Sequence, residues 1–184
     1  MIHPLADVQS QKIGNGTVVW QYSVILKDAV IGKNCNINCH TFIENNVVIG
    51  DNVTVKSGVY LWDGIVVHDN VFIGPNVTFT NDERPRSKQY PVEFKPIILE
   101  RFSSIGAGSI ILGGVIVGEY SMVGAGALVT KNVPSRALMK GSPAIVCGWL
   151  NDDGTKMKEI NGTFLDNKGY KWNIIKDKLV KSDE

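Results

Sequence analysis

Asp63 and Asn81 are the residues whose types and spacing most suggest chemistry. They lie 18 positions apart, and each follows an apolar residue, Leu61 or Phe79, by two positions. A carboxylate beside a carboxamide can accept a proton and orient a polar group of a bound molecule. Asn and Asp also suit tight corners, and we favour that simpler interpretation for Asn45. For Asp63 and Asn81, which adjoin a long polar segment, we predict a functional site.

Aromatic and basic residues adjoin this pair. Tyr60 and Trp62 either cover the outside of the protein or stack on a nucleotide base, and the sequence does not choose between these roles. Arg84 and Arg86 are able to bind a diphosphate through charge-assisted hydrogen bonds. The alternative is that they are solvated loop charges, although Pro85 between them favours an ordered role for at least one.

The element that positions these residues is a repeat of six. Apolar residues recur at this interval, first at Ile13, Val19, Ile25, Ile31, Ile37, Ile43, Ile49, Val55, Leu61, Val67, Ile73 and Phe79, then at Leu99, Ile105, Ile111, Val117, Val123 and Val129. This period fits neither a helical face nor a continuously alternating strand. It fits a short parallel strand and a tight corner, three of which close a triangular coil, so the 18 repeats predict about six coils.

Coil stacking has consequences for the candidate residues. Asp63 and Asn81 should lie at one corner in adjacent coils, about 4.8 Å apart. His68, a second candidate general base, falls at a different corner, separated from Asp63 by a strand, and within an assembly the two could meet only across a subunit boundary. Glycines that follow the apolar positions, among them Gly14 and Gly32, are expected to supply unusual backbone angles at corners.

The register breaks between Phe79 and Leu99. Residues 81–96, NDERPRSKQYPVEFKP, contain three prolines and seven charged residues, which predicts an extruded loop. An ordered loop of this length in a compact solenoid more often has a binding or catalytic role than none. The period ends near residue 148, and turn signals in residues 149–184 predict a small β-hairpin with a frayed end.

Composition excludes several classes. Val (22) and Ile (19) far outnumber Leu (10), which favours strands. A net charge of +1 excludes a nucleic-acid binder held by bulk charge. No long apolar run or leader-like start is present, so we expect no membrane association and a cytoplasmic location. Cys35, Cys39 and Cys147 match no zinc spacing, and His40 and His68 are too far apart for a three-histidine site, so no metal is predicted.

The segments IGKNCN, IGDNVT, IGAGSI and VGAGAL resemble the hexapeptide-repeat acyltransferases. This resemblance covers residues 1–148 and implies a left-handed parallel β-helix. The segments IHPLADV, LWDG, FTNDERPRS and VGAGALVTKNVPSRALMKGSPA resemble bacterial nucleotide-sugar N-acetyltransferases. Among these, TNDERPRSKQYP is most similar to enzymes acting on dTDP-3-amino-3,6-dideoxyhexoses and less similar to those using a UDP-linked 3-aminoglucuronate.

The resemblance implies transfer of acetyl from acetyl-CoA to the sugar 3-amino group, in the synthesis of sugars for surface polysaccharides such as O-antigen or S-layer glycans. It also implies a homotrimer with sites between subunits, in which Asp63, Asn81 and Asp82 line the site for the amine. Asp63 is then a candidate base or electrostatic partner, and the leaving CoA thiolate can take the last proton.

The second repeat block suits coenzyme A. Gly106-Ala107-Gly108 and Gly124-Ala125-Gly126 offer backbone with few side-chain atoms, although such residues also simply shape corners. By resemblance, Ala107 and Ala125 contact the pantetheine arm. The resemblance also assigns phosphate contacts to Lys131, Arg136 and Lys140, and adenine contacts to Ser142, Pro143 and Ala144.

Two other functions are compatible with this fold: a metal-dependent hydratase like the γ-class carbonic anhydrases, and a non-catalytic scaffold. Metal analysis of the protein would distinguish the hydratase from the acetyltransferase. Absence of acetyl-CoA binding would indicate the scaffold. The sequence does not distinguish gluco from galacto sugars, because one hydroxyl epimer is recognised by pocket geometry.

Overall fold

The protein is a solenoid of short parallel strands. A computed structural model describes residues 1–182, and these contain strands and no helix. The solenoid strands are β1 (Asp7–Val8), β2 (Val18–Val19), β3 (Val24–Ile25), β4 (Val30–Ile31), β5 (Asn36–Ile37), β6 (Phe42–Ile43), β7 (Val48–Ile49), β8 (Thr54–Val55), β9 (Tyr60–Leu61), β10 (Ile65–Val67), β11 (Phe72–Ile73), β12 (Thr78–Phe79), β13 (Ile97–Leu99), β14 (Ser104–Ile105), β15 (Ile110–Ile111), β16 (Ile116–Val117), β17 (Met122–Val123), β18 (Leu128–Val129) and β19 (Ala137–Gly141).

Every third strand stacks in parallel, which gives three flat faces. The first face contains β2-β5-β8-β11-β14-β17-β19, and the third contains β4-β7-β10-β13-β16. The second face is formed by β1-β3-β6-β9 and, further along the axis, by β12-β15-β18. In strands β2 to β18 the last residue points inward, and all the predicted apolar positions except Ile13 are buried in one column. The predicted all-β fold is confirmed and fits a left-handed β-helix.

The solenoid has about seven turns, one more than the period predicts. Ile2 pairs with Val19 at the first end, and Val133 pairs with Val117 at the other. Ile2 and Val133 are not separated from the neighbouring apolar positions by six residues, so counting the period does not find these pairings. The ends therefore add a turn without adding a repeat.

The glycine prediction is wrong in its physical reason for Gly14, Gly32 and the equivalent Gly74. The left-handed angle occurs two positions later, for example at Asn34 (φ 54°) and Asn76 (φ 56°). Gly74 is needed because a Cβ there would lie 2.8 Å from both the backbone nitrogen of Ala107 and the carbonyl oxygen of Ile105. These glycines permit close approach of successive coils.

The loop and the tail depart from the solenoid pattern. Residues 81–96 leave after β12, and the loop is closed by a 3.0 Å hydrogen bond from Lys95 N to the Asn81 carbonyl and a 2.6 Å ion pair between Lys95 and Glu83. After β19 the chain turns back as β20 (Ala144–Trp149), antiparallel to β19.

The tail forms more than the single hairpin predicted. Strands β21 (Lys158–Ile160), β22 (Thr163–Leu165), β23 (Lys171–Ile175) and β24 (Lys178–Lys181) make a four-stranded antiparallel sheet. Buried Trp149 and Phe164 pack edge-on and join this sheet to β20. Turn signals marked the first two reversals, at Asn161-Gly162 and Asn167–Gly169, but neither the third, at Lys176-Asp177, nor this packing. Asp183 and Glu184, part of the predicted frayed end, lie outside the described residues.

Gly74→Ala should lower the free energy of unfolding by about 1–3 kcal/mol, because its Cβ would press on the backbone of the next coil. Gly108→Asn is the matched control, since that position has open space around it and Asn adopts the same left-handed angle elsewhere in the chain. Urea unfolding of both variants measures the difference. A Gly74→Ala variant as stable as the control would contradict the close-approach explanation.

Candidate active site

Asp63 and Asn81 lie in adjacent coils at the corner between the second and third faces, as the period predicts. The Asn81 side-chain amide donates a hydrogen bond to the Asp63 carbonyl oxygen at 3.4 Å. The Asp63 carboxylate accepts a 2.8 Å hydrogen bond from the Asn46 backbone N–H, which orients it through one oxygen. Both side chains are partly exposed, so the corner is open to a ligand.

Glu44 supports this corner from the coil below and was not identified from the sequence. Its carboxylate accepts a 2.7 Å hydrogen bond from the backbone N–H of Asp63. Three successive coils therefore place two carboxylates and a carboxamide along one edge. The available signal was position, because Glu44 directly follows the apolar residue Ile43 and precedes Asp63 by one coil and one residue.

Asp82 and the loop arginines begin the extruded loop. The Asp82 carboxylate accepts a 2.8 Å hydrogen bond from the Arg84 backbone N–H, which forms a local turn. Arg84 and Arg86 are exposed, and the Arg86 guanidinium bonds only to the neighbouring Pro85 carbonyl, at 2.9 Å. The structure thus brings Asp82 beside Asn81 and leaves the two guanidinium groups facing solvent.

Tyr60 and Trp62 belong to an aromatic cluster beside the corner. Their ring centroids are 5.9 Å apart, and Phe42, which the sequence analysis did not single out, lies 6.4 Å from Tyr60 and 5.8 Å from Trp62. The Trp62 indole N–H donates to the Phe79 carbonyl at 3.0 Å. This bond bridges β9 and β12, which belong to separate hydrogen-bonded sheets.

His68 is exposed at the corner between the third and first faces. Strand β10 separates it from Asp63, so the two residues mark opposite edges of the third face. Within one chain the structure does not bring His68 to the Asp63 corner.

Five of the predicted coenzyme A residues share the edge between the first and second faces. Ala107 and Ala125 are exposed, and each precedes a glycine with open space around it, Gly108 or Gly126. One coil further, the Lys140 side chain lies over Gly124. Ser142 and Pro143 form the exposed turn between β19 and β20.

Lys131 and Arg136 do not join this edge. Lys131 is exposed after β18, at the corner of the second and third faces. Arg136 precedes β19 and lies at the opposite end of that strand from Lys140.

The Arg136 guanidinium holds the tail against the solenoid. Its central carbon lies 4.7 Å from the Tyr120 ring and 4.9 Å from the Trp172 ring, and it forms a 2.6 Å ion pair with Asp152. Hydrogen bonds from Lys168 and then Arg136 lower the pKa of Asp152. With its side chain only 17% exposed, Arg136 is not available for a CoA phosphate in this chain. Residue spacing did not reveal that the tail folds back onto it.

In residues 1–182 no group of three or more His, Cys, Asp and Glu side chains is arranged to hold a metal ion. The same residues include no helix with the length and hydrophobicity required to cross a membrane.

The repeat pattern described as bacterial transferase hexapeptide (six repeats) matches residues 12–45, 46–81 and 96–131, which is more than half of the chain. The chain belongs to the bacterial transferase hexapeptide family. Its geometry agrees with this membership, since the matched ranges are the coils and the interval between the last two is the extruded loop.

One curated relative and two solved structures are similar to the chain. It is 53% identical, over 91% of its length and 84% of the relative, to dTDP-3-amino-3,6-dideoxy-alpha-D-galactopyranose 3-N-acetyltransferase of Aneurinibacillus thermoaerophilus. A hexapeptide-repeat acetyltransferase from Vibrio cholerae, solved with acetyl coenzyme A, superposes with a TM-score of 0.56 at 27% identity, covering 76% of this chain and 70% of that one. A UDP-N-acetylglucosamine acyltransferase from Bacteroides fragilis shares the fold, with a TM-score of 0.67 at 20% identity over 80% of this chain and 60% of that one.

These similarities confirm the resemblance predicted from the sequence, including the subgroup of dTDP-amino-sugar N-acetyltransferases. They also confirm the enzyme class, acetyltransferase. Acetyl-CoA is accordingly the co-substrate that the relatives support.

Arg136→Ala should lower the free energy of unfolding by about 2–3 kcal/mol, because it removes the stack between two rings and leaves Asp152 with one cationic partner fewer. The affinity for acetyl-CoA, measured by calorimetry, should not change. Arg101→Ala is the control, since Arg101 forms an exposed pair with Asp69 and its loss should cost less than about 1 kcal/mol. A large loss of acetyl-CoA affinity in Arg136→Ala, with stability retained, would instead support a phosphate contact.

Proposed function

We propose that this protein transfers the acetyl group of acetyl-CoA to the 3-amino group of a dTDP-linked 3-amino-3,6-dideoxyhexose. The observation that carries the proposal is the Asp63–Asn81 corner beside the extruded loop, in a chain 53% identical to an enzyme of that activity. The galacto sugar in the relative's name is the first acceptor to test. We place the reaction in the cytoplasm, where the three free cysteines would remain reduced.

The chemistry requires an amine that has lost its proton, a correctly placed thioester carbonyl and a donor for the developing oxyanion. The Asn46 N–H fixes one oxygen of Asp63, and the second oxygen remains to accept a hydrogen bond or a proton from the amine. Asn81 and Asp82 complete the contacts to the amino group. The amine attacks the thioester carbonyl, the tetrahedral intermediate expels the CoA thiolate, and that thiolate takes the remaining proton. Positioning both substrates can supply about 7–11 kcal/mol, so a strong protein base is not required.

The edge carrying Ala107, Ala125 and Lys140 is the proposed binding site for coenzyme A. Exposed backbone with few side-chain atoms would let the pantetheine arm lie close to the chain, and the Lys140 ammonium is our candidate for a phosphate contact. Ser142 and Pro143 then border the adenine. Lys131 lies at another corner, so we assign it to the coenzyme A of a neighbouring subunit.

The third face supports the proposed homotrimer. Its outward-facing side chains form an unbroken aliphatic column of Val30, Val48, Val66, Ile98 and Ile116. Val30 and Val48 are 37% and 44% exposed in the single chain, and a contiguous apolar surface of this kind favours contact with another subunit. Since Asp63 and His68 mark the two edges of this face, we propose that His68 acts at the site of an adjacent subunit. The loop arginines at the same edge are proposed to bind the diphosphate.

Asp63→Asn and Asn81→Ala should each lower kcat/KM by about 100-fold or more, because the amine loses its acceptor or its orientation. Release of CoA thiol with a panel of dTDP- and UDP-linked amino sugars measures this. Asp51→Asn is the matched control, since Asp51 accepts a 2.7 Å bond from a backbone N–H one coil below, as Asp63 does, but at another corner. Full activity in both site variants would refute the assignment, and turnover with only UDP-linked sugars would refute the nucleotide.

Val48→Glu combined with Val66→Glu should dissociate the trimer, because two carboxylates would be buried in the aliphatic column. Sedimentation equilibrium gives the subunit number, and Thr54→Glu, on the outward side of the first face, is the control. Activity should be lost together with assembly. A wild-type protein that is not trimeric, or a double variant that stays trimeric and active, would contradict this assembly.

Mixed trimers of inactive Asp63→Asn and His68→Ala subunits should regain part of the activity. A mixture no more active than either variant alone would contradict a site between subunits.

A further inference from the structure

A groove of about 410 Å³ runs along the second face, directly below the Asp63 corner. It is lined mainly by Tyr22, Val24, His40, Phe42, Tyr60 and Trp62. Three of these six residues, Tyr22, Val24 and Phe42, played no part in the predictions from sequence. The lining is largely apolar and aromatic, and Tyr22 and Tyr60 are 54% and 50% exposed, so the groove is open to a ligand.

One wall of the groove has an unfavourable backbone conformation. Tyr22 and His40 have left-handed angles (φ 61° and 58°), and in the next coils the equivalent position is filled by Gly58 and Asn76, which adopt this angle more readily. The two rings stack with centroids 5.2 Å apart. Bulky rings thus replace the residues that the backbone prefers, and the result is a flat aromatic surface.

The opposite end of the protein shows what such a stack can hold. At the corner between the third and first faces, Phe102 and Tyr120 also have left-handed angles, and their rings stack at 4.7 Å. There the Arg136 guanidinium lies on the Tyr120 ring as a flat, polar-edged group. The Tyr22–His40 stack has the same construction but faces solvent, which indicates a flat ligand from outside the chain.

The groove crosses the second face and adjoins the proposed amine site at Trp62, which directly precedes Asp63, while the Tyr22–His40 stack lies at the other edge of that face. It spans the coils of β3, β6 and β9, and Asp63 and Asn81 lie in the third of these coils and the next one. From Phe42 to Asn81 is two coils, on the order of 10 Å along the axis. Ribose and diphosphate span a comparable distance between base and sugar, so one sugar nucleotide could occupy both places.

We propose that this groove binds the pyrimidine base of the sugar nucleotide and that its apolar lining selects thymine over uracil. The inference rests on the proposed function. A pyrimidine stacks on aromatic rings through its π-face, and the 5-methyl group that distinguishes thymine would be buried against Val24 and Phe42. Burying one methyl group corresponds to about a fourfold preference for dTDP over dUDP, which differs from dTDP only in lacking that methyl group.

Tyr22→Ala and Phe42→Ala test the assignment. We expect the Kd of dTDP, measured by calorimetry, and the KM of the dTDP-amino sugar to rise about fivefold or more, because base stacking on a ring is lost. kcat and the KM of acetyl-CoA should stay within about twofold of wild type. Phe72→Ala is the matched control, since Phe72 points outward from an equally short strand on the first face and is 40% exposed. Thermal unfolding verifies folding, and the exposed Tyr22 gives a variant that does not disturb the core.

The outcomes separate this inference from the proposed function. Wild-type turnover of a dTDP-amino sugar with unchanged Kd and KM in both variants would overturn the groove assignment while leaving the reaction intact. Binding of dTDP that weakens in both variants, with no turnover of any amino sugar, would support the groove and refute the acceptor. Equal wild-type affinity for dTDP and dUDP would overturn the selection of thymine.

Discussion

Parallel backbone hydrogen bonding between successive coils is the interaction on which the whole structure depends. Each coil is held to the next at a spacing of about 4.8 Å, and this spacing leaves no room for a Cβ at positions such as Gly74. The same ladder converts sequence separation into geometry, because residues 18 apart are neighbours along the axis. The proposed site residues are therefore aligned in columns along the edges of the solenoid.

The three edges differ in the side chains they accept. Two of them place a residue in the left-handed region in nearly every coil, which favours Gly and Asn, as at Gly126 and Asn34. The edge between the second and third faces, apart from the extruded loop, has left-handed angles only at Gly64 and Gly114. Charged and carboxamide residues can occupy it without backbone strain. Glu44, Asp63 and Asn81 lie on this third edge, and none of them has a left-handed angle.

The periodic part of the molecule could be predicted because its rule is local. The inward residues, the adjacency of Asp63 and Asn81, and the extruded loop all follow from counting sixes. Counting failed where the constraint is not local. The added turn depends on the pairing of each end of the solenoid with the coil next to it, as Ile2 pairs with Val19 and Val133 with Val117. The tail sheet depends on packing of Trp149 against Phe164. Arg136 could not be placed, because its partners Asp152 and Trp172 lie 16 and 36 residues further along the chain.

The separation of functions among edges argues that assembly is part of catalysis. In one chain, the Asp63 corner, the Ala107 edge and His68 occupy three different edges of the prism, and a full face separates each pair. A solenoid cannot bend to bring its own edges together, since the ladder fixes every coil against its neighbours. Under the proposed function, the amine at the Asp63 corner and the acetyl-CoA at the Ala107 edge would therefore meet only if the two edges belong to different subunits. The aliphatic column on the third face lies between the Asp63 and His68 edges, so contact through that face would bring the Asp63 edge of one subunit to the His68 edge of another, whereas the Ala107 edge borders only the first and second faces.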